Sequence, residues 1–346
     1  MLNKVQTMPT ERLLELQDVN VHFGMREGTV KAVNGVSYHV NRGEVLGIVG
    51  ESGSGKSVAV RSIMRLLPKN TCLSEGSIRF NPQKGREVEI SALKSNSRKM
   101  RELRGDTIGM IFQEPMTALS PVHSIGTQIM RTVMLHRRCG KAEARVRAIE
   151  LLKKVHLPRP DEIVDSYPHQ LSGGMRQRAM IALALSCDPE LLIADEPTTA
   201  LDVTTEAQIL DLLRELQAET GMSIIFITHN FGVVADIADR VAVMYLGRIV
   251  ETGTVDEIFF NPQHPYTRAL LQSVPRLGQA PVRRLRVIPG MVPDPFNVPK
   301  GCSFNPRCSY AVRGRCDVET PDLVRFSDEQ TARCLFAGQL PGEGLV

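Results

Sequence analysis

The sequence predicts an α/β fold with an antiparallel β subdomain at its front, an inserted helical subdomain and a small cysteine-containing C-terminal domain. Three observations predict it. From Leu13 to Val40 apolar and polar residues alternate, the period of half-buried antiparallel strands. The runs Val45–Val49, Leu191–Ala194 and Ser223–Ile227 are apolar throughout, as strands covered on both faces must be. Between those runs lie longer segments with helical periodicity, so strand and helix alternate as in βαβ units.

Taken in order, Gly24, Gly28 and Gly35 punctuate the first segment and predict hairpin breaks. Val45–Val49 reads as a strand, and Val58 to Leu67 as a helix stopped by Pro68. Helices over Ser124–Leu135 and Lys141–Val155, with a short stretch ending near Tyr167, make the inserted block, about residues 114–170. A helix from Thr204 to Glu219 separates the second and third buried runs, and Val241–Val250 predicts a strand pair. Asn261-Pro262-Gln263-His264-Pro265 opens a Pro- and Arg-rich stretch, which sets the expected division at 1–258 and 259–346.

Composition narrows the class. The chain has 346 residues, 42% hydrophobic and 23% charged, enough for more than one domain and a large core without crosslinks. Lys+Arg 42 against Asp+Glu 38 gives +4, too mild an excess to demand nucleic acid. The first sixteen residues carry charges and no apolar segment, and no run of eighteen apolar residues occurs, so neither export nor a membrane span is expected. Cysteines in such a chain should stay reduced. Cys72, Cys139 and Cys187 are scattered, whereas Cys302, Cys308, Cys316 and Cys334 group near the C-terminus and suggest a metal-ligand set.

The chemistry concentrates in a few motifs. Gly50-Glu51-Ser52-Gly53-Ser54-Gly55-Lys56-Ser57 fits GxxxxGK[ST] and lies between the Val45–Val49 strand and the Val58 helix. Glycines there let successive backbone N–H groups face phosphate, Lys56 adds a cation at the β/γ oxygens, and Ser57 suits Mg²⁺. Leu191-Leu192-Ile193-Ala194-Asp195-Glu196 is an apolar strand ending in two carboxylates, where an α/β sheet presents residues to ligands. Asp195 suits the magnesium ion and Glu196 the attacking water.

Leu171-Ser172-Gly173-Gly174-Met175-Arg176-Gln177-Arg178 is similar to the LSGGQ signature of ABC transporter ATP-binding subunits, with Met175 in place of the usual glutamine. Its logic is an anion site at a helix N-terminus. The resemblance runs from about Leu13 to Gly253 and implies the P-loop NTPase fold of an ABC ATPase domain. It assigns Phe23 to adenine stacking, Gly50 through Val58 to the triphosphate, and Ser172, Gly173, Gly174 and Asp202 to nucleotide held across a head-to-tail dimer. It assigns Gln113 to Mg²⁺ and the attacking water, Asp195 and Ser57 to Mg²⁺, Glu196 to water activation and His229 to the γ-phosphate. Each of the isolated residues has an ordinary structural use as well; Asp202, for one, suits a helix N-cap.

The tail resembles the oligopeptide and dipeptide importer branch of that family through Asn261-Pro262-Gln263-His264-Pro265-Tyr266-Thr267, Pro289-Gly290, Gly301-Cys302 and Asn305-Pro306-Arg307-Cys308. Ser166-Tyr167-Pro168-His169-Gln170 and Leu119-Ser120-Pro121 resemble it too. Cysteine spacing alone leaves zinc and an iron–sulfur cluster open; the branch implies a [4Fe–4S] cluster on Cys302, Cys308, Cys316 and Cys334. It also implies ATP and Mg²⁺, a second and different ATPase chain, two permease subunits, an extracytoplasmic substrate-binding protein, and a peripheral place on the cytoplasmic face of the inner membrane. Peptide is the expected cargo, with nickel or another small solute as the alternative. A DNA-repair ATPase of the same superfamily would show long heptad segments or a second GxxxxGK[ST], and neither occurs. No basic run with interleaved aromatics points to nucleic acid.

Overall fold

The computed structural model describes residues 11–68, 71–83, 85–199, 201–273 and 288–340, with the side chains of 71–74, Cys72 among them, outside the described set. Strands β1 (Arg12–Met25) and β2 (Gly28–Asn41) form one long hairpin, and with β4 (Thr71–Phe80) and β5 (Val88–Glu89) they make an antiparallel sheet in the order β2-β1-β4-β5. The alternating pattern is therefore real, but two of the expected breaks are not. Gly24 lies inside β1 and Gly35 inside β2; only Gly28 adjoins the turn. Gly35 takes φ +64 and its N–H donates to Asn20 Oδ1 at 2.9 Å, so the strand kinks there without ending.

The chain separates into two compact units. One is built on Ile78–Ile225 with His39–Glu44. It holds β6 (Ile108–Ile111) and β7 (Leu191–Asp195), which run parallel with Met110 opposite Ile193. Both strands are buried at every position, as the unbroken apolar runs require. Its helices are α2 (Arg98–Glu102), α3 (Pro115–Ala118), α4 (Ile125–Arg137), α5 (Lys141–Lys154), α6 (Pro160–Ile163), α7 (Gly173–Ala184) and α8 (Val203–Thr220). The expected helical block is thus α4 to α6. Ser124 caps α4 by accepting the Thr127 N–H at 3.3 Å, and α5 packs against both α4 and α7.

The other unit comprises Leu16–Tyr38, Val45–Ser77 and the chain from Phe226 onward. Here β3 (Val45–Val49) runs parallel to β9 (Arg240–Tyr245), which turns back antiparallel into β10 (Arg248–Thr254). Helix α1 (Lys56–Ile63) starts two residues before the sequence pattern suggested and stops four residues earlier, with Arg65 at φ +51 after it. Strand β8 (Ser223–Thr228) leads to α9 (Phe231–Ile237); α10 (Val255–Phe260) and α11 (Pro265–Ser273) follow β10. The cysteine-bearing tail adds β11 (Val324–Arg325) and β12 (Thr331–Ala332), and β12 pairs with β10 through Glu251 opposite Ala332.

The tail shares the core of this unit. Phe304 is buried with Val49, Val243, Tyr245 and Tyr266 in one cluster, and Cys302 and Cys308 pack against it. Glu251, fully buried on β10, accepts the backbone N–H groups of Gln263 (2.6 Å) and His264 (3.0 Å), tying the Asn261–Pro265 segment to the strand. Burial pushes this carboxyl up to about 7 and the buried His264 imidazole down to about 3. Among the described residues no helix is long and apolar enough to cross a membrane.

Candidate functional site

The glycine loop leaves β3 at Gly50 and enters α1 at Lys56. Its path needs glycine at both ends. Gly50 has φ +154, and a Cβ there would lie 2.1 Å from the Met244 carbonyl oxygen; Gly55 has φ +99, and its Cβ would lie 2.3 Å from the Ala32 carbonyl oxygen. Lys56, only 4% exposed, donates to the carbonyls of Gly50 (2.8 Å) and Glu51 (3.1 Å), so its ammonium is folded over the loop. Ser54 Oγ is buried and has no hydrogen-bond partner, an orphaned polar group that a phosphate oxygen would satisfy. Ser52 and Gly53 form the exposed crest, and Ser57 and Val58 are half-buried in the first turn of α1. A glycine-shaped loop, a helix N-terminus and one ammonium supply the parts of an anion cradle.

In the same unit, Phe23 is half-buried near the end of β1, and His229 is exposed directly after β8.

The other unit carries the carboxylates. Asp195, fully buried, ends β7, and Glu196 follows it at φ +50. A glutamate in the left-handed region costs roughly 1 kcal/mol or more and persists where the surroundings impose it, typically at functional sites. The surroundings here are explicit: Gln113 Nε2 donates to Glu196 Oε2 at 3.1 Å and Thr199 Oγ1 donates to the same oxygen at 2.9 Å. Gln113 reaches this point from the loop after β6, because β6 and β7 are parallel neighbours and end on the same edge. The structure therefore brings together two residues 83 positions apart that the family resemblance assigns to one water molecule.

Ser172 caps α7, its hydroxyl accepting the Met175 N–H at 3.3 Å, and Gly173 and Gly174 form the first turn. The contact uses the backbone of residue 175, so methionine in place of glutamine leaves the cap intact. Asp202 caps α8 through the Thr205 N–H at 2.9 Å, and that hydrogen bond holds its carboxyl below the usual carboxylate range. The helix-cap use of Asp202 is the one this structure contains.

The structure does not bear out the cluster expected on the tail cysteines. Among the described residues no group of three His, Cys, Asp or Glu side chains is placed to hold a metal ion, so the expected ligand set is not assembled. The four thiols do converge. Cys302, Cys308, Cys316 and Cys334 line one recess with His264, Phe304 and Phe336, and its free volume of about 10 Å³ admits a water-sized probe at most. None is in a disulfide. Burial pushes the Cys308 thiol up to about 12 and the Cys334 thiol up to about 11. The donor chemistry suits iron or zinc, and loading either would require the recess to open and the thiols to give up their protons.

Sequence reasoning also missed residues. Thr199 gave no signal beyond lying three positions after Glu196. Tyr266 and Arg307 were visible only as parts of a tail motif, yet both touch the glycine loop: the Glu51 N–H donates to Tyr266 Oη at 2.9 Å, and Arg307 pairs with the Glu51 carboxylate.

A phosphate cradle opening a helix after a parallel strand, together with a carboxylate oriented at the end of another, defines a P-loop nucleoside triphosphatase. Comparison with known proteins gives the narrower class. Residues 33–199 match the ABC transporter family, and residues 250–316 match the oligopeptide/dipeptide transporter C-terminal region. The chain is 50% identical over 318 residues to the oligopeptide transport ATP-binding protein OppD of Bacillus subtilis (strain 168), covering 92% of this chain and 87% of that one. It is 46% identical over 324 residues to the dipeptide transport ATP-binding protein DppD of Escherichia coli (strain K12), covering 94% and 96%. Among solved structures, the dimeric post-hydrolysis state of the ATP-binding cassette MJ0796 with ADP and Pi superposes with a TM-score of 0.61 at 29% identity, over 70% of this chain and 98% of that one. The chain belongs to the ABC transporter ATPase family, in the branch that carries the oligopeptide/dipeptide transporter C-terminal region.

Proposed function

We propose that this chain is the ATP-hydrolysing subunit of a peptide importer, acting on ATP held between its own glycine loop and the Ser172 turn of a second ATPase chain. The observation that carries hydrolysis is Glu196, fixed by Gln113 and Thr199 at the end of a buried strand. Similarity to OppD and DppD along both the ATPase and the tail carries the peptide cargo.

In this reading Lys56 and the loop N–H groups would grip the β- and γ-phosphates, and Ser57 and Asp195, which the family resemblance assigns to Mg²⁺, would hold an ion supplying positive charge for the phosphate oxygens. Glu196 accepts a proton from the attacking water, with Gln113 keeping the carboxylate turned toward it. His229 contacts the γ-phosphate and Phe23 stacks on adenine. Ser172, Gly173, Gly174 and Asp202 act across the dimer, so ATP joins the two faces and loss of the γ-phosphate releases them. That difference in contacts between two states moves the permease. The partners are a second, different ATPase chain, two permease subunits and an extracytoplasmic substrate-binding protein, with this subunit peripheral at the cytoplasmic face of the inner membrane. Its division follows the sequence: an ATPase domain over 1–258, its helical subdomain about 114–170, and a tail over 259–346.

Co-expression with candidate permease and second ATPase chains, followed by reconstitution in liposomes with the binding protein, tests the cargo. Short peptides should raise ATP turnover several-fold and accumulate only with ATP present. Stimulation by nickel and not by peptide would overturn the peptide reading.

The tail carries a second part of the reading, a [4Fe–4S] cluster on Cys302, Cys308, Cys316 and Cys334. Support comes from the shared recess of the four thiols, which would have to widen and deprotonate on loading. Protein purified without oxygen should be brown, with broad visible absorption that Cys308→Ser removes. Colourless protein carrying stoichiometric zinc would overturn iron.

A further inference from the structure

The phosphate loop contains an acidic residue, and that is a liability. Glu51 is the second residue of the loop; its carbonyl accepts from Lys56 and its neighbour Gly50 begins the cradle. A carboxylate at this point repels the triphosphate, whose own charge is about −4 at neutral pH, through a medium of lower dielectric than water. The structure answers that charge from the tail. Arg307, with its side chain 4% exposed, places Nη1 at 2.7 Å from Glu51 Oε2 and Nη2 at 2.9 Å from Oε1, a bidentate pair.

The arginine is itself fixed. Its Nε donates to the Pro289 carbonyl at 3.1 Å, and its guanidinium lies 5.9 Å from the Tyr245 ring centroid. The short 3-10 turn Asn305–Arg307 that presents it follows Phe304, whose ring meets Tyr245 at 5.3 Å and Tyr266 at 5.2 Å. Tyr266 in turn accepts the Glu51 N–H. Glu51 is thus held at N–H, carbonyl and carboxylate, and two of these three groups are held from beyond residue 260.

We infer that Arg307 is a positioning residue for ATP binding: it silences the Glu51 charge and turns the carboxylate away from the cradle, making the tail part of the nucleotide site's electrostatics. The inference rests on the reading that Gly50–Ser57 binds the triphosphate.

The test is the affinity of the full chain for a fluorescent ATP analogue with Mg²⁺, read with melting temperatures of the nucleotide-free variants. Arg307→Gln should weaken binding about tenfold, and the deficit should shrink as salt is raised. Adding Glu51→Gln to it should restore affinity to within about threefold of the parent, because the uncompensated charge is gone. Arg307→Lys keeps the charge but not the bidentate fork, and should bind more tightly than Arg307→Gln and less tightly than the parent. A merely structural arginine would not be rescued by the second substitution. Parental affinity in Arg307→Gln, or a double variant as weak as the single, overturns the inference. Should Arg307→Gln fail to fold, Glu51→Gln alone decides: it leaves the arginine's charge in excess and should tighten binding about two- to fivefold, and unchanged or weaker binding counts against it. Lys56→Ala separates the two levels. Undiminished ATP binding there would refute the loop reading; lost binding there beside parental affinity in Arg307→Gln would refute only the role of Arg307.

Discussion

Glu196→Gln should retain ATP binding within about threefold of the parent while turnover falls by a hundredfold or more. Glutamine has the shape of glutamate and can still accept from Gln113 or Thr199 through its carbonyl, so the residue stays at the end of β7 with its φ of +50. What it loses is basicity: an amide does not take a proton from water at neutral pH. A residue that touches only the reacting water changes the rate and not the affinity, which is the expected split between kcat and the ATP dissociation constant. The variant should also collect as a closed two-chain species with ATP on gel filtration, because the step that removes the γ-phosphate is blocked. Hydrolysis at the parental rate would remove Glu196 from the role of base. A parallel loss of binding would show that the substitution had disturbed the cradle instead.

The buried strands were legible because a strand covered on both faces leaves an unbroken apolar run; β3, β7 and β8 fall where Val45–Val49, Leu191–Ala194 and Ser223–Ile227 placed them. The helix cap at Asp202 was legible for a similar local reason, a short oxygen-bearing side chain ahead of a helical pattern, whereas the caps at Ser124 and Ser172 emerged only with the structure. The hairpin was only half legible, since glycine marks both a chain reversal and a kinked strand, and Gly35 is the second kind. Contacts far apart in sequence left no local trace. Nothing around Arg307 announces that it pairs with a residue 256 positions earlier, and the place of Phe304 in the core beside β3 and β9 depends on tertiary packing alone. The four cysteines show the same limit from the other side. Their spacing suggested ligands, and the fold does bring them to one recess, but coordination depends on distances and ionisation that spacing does not encode.

Gly50→Ala should reduce ATP affinity by a hundredfold or more, whereas Gly53→Ala, three residues along the same loop, should reduce it about tenfold or less. Both glycines have positive φ, +154 and +79, so alanine carries a conformational cost at either place, on the order of 1–2 kcal/mol. The difference lies in what the added methyl meets. At Gly53 there is nothing within 4 Å. At Gly50 the methyl would stand 2.1 Å from the Met244 carbonyl oxygen and 2.9 Å from Ser54 Oγ. The serine can turn; the carbonyl cannot, because Met244 is a strand residue of β9 paired with Ile249 of β10, and the neighbouring Val243 is in register with Val49 at the end of β3. Relief must therefore come from the loop, which would lift away from the sheet and carry the Gly50 and Glu51 carbonyls, and with them Lys56, out of place. Nucleotide titrations of the two variants, compared with their melting temperatures without nucleotide, distinguish loss of the cradle from loss of the fold. Equal affinities in the two would mean that the loop's approach to β9 has no part in shaping the phosphate site.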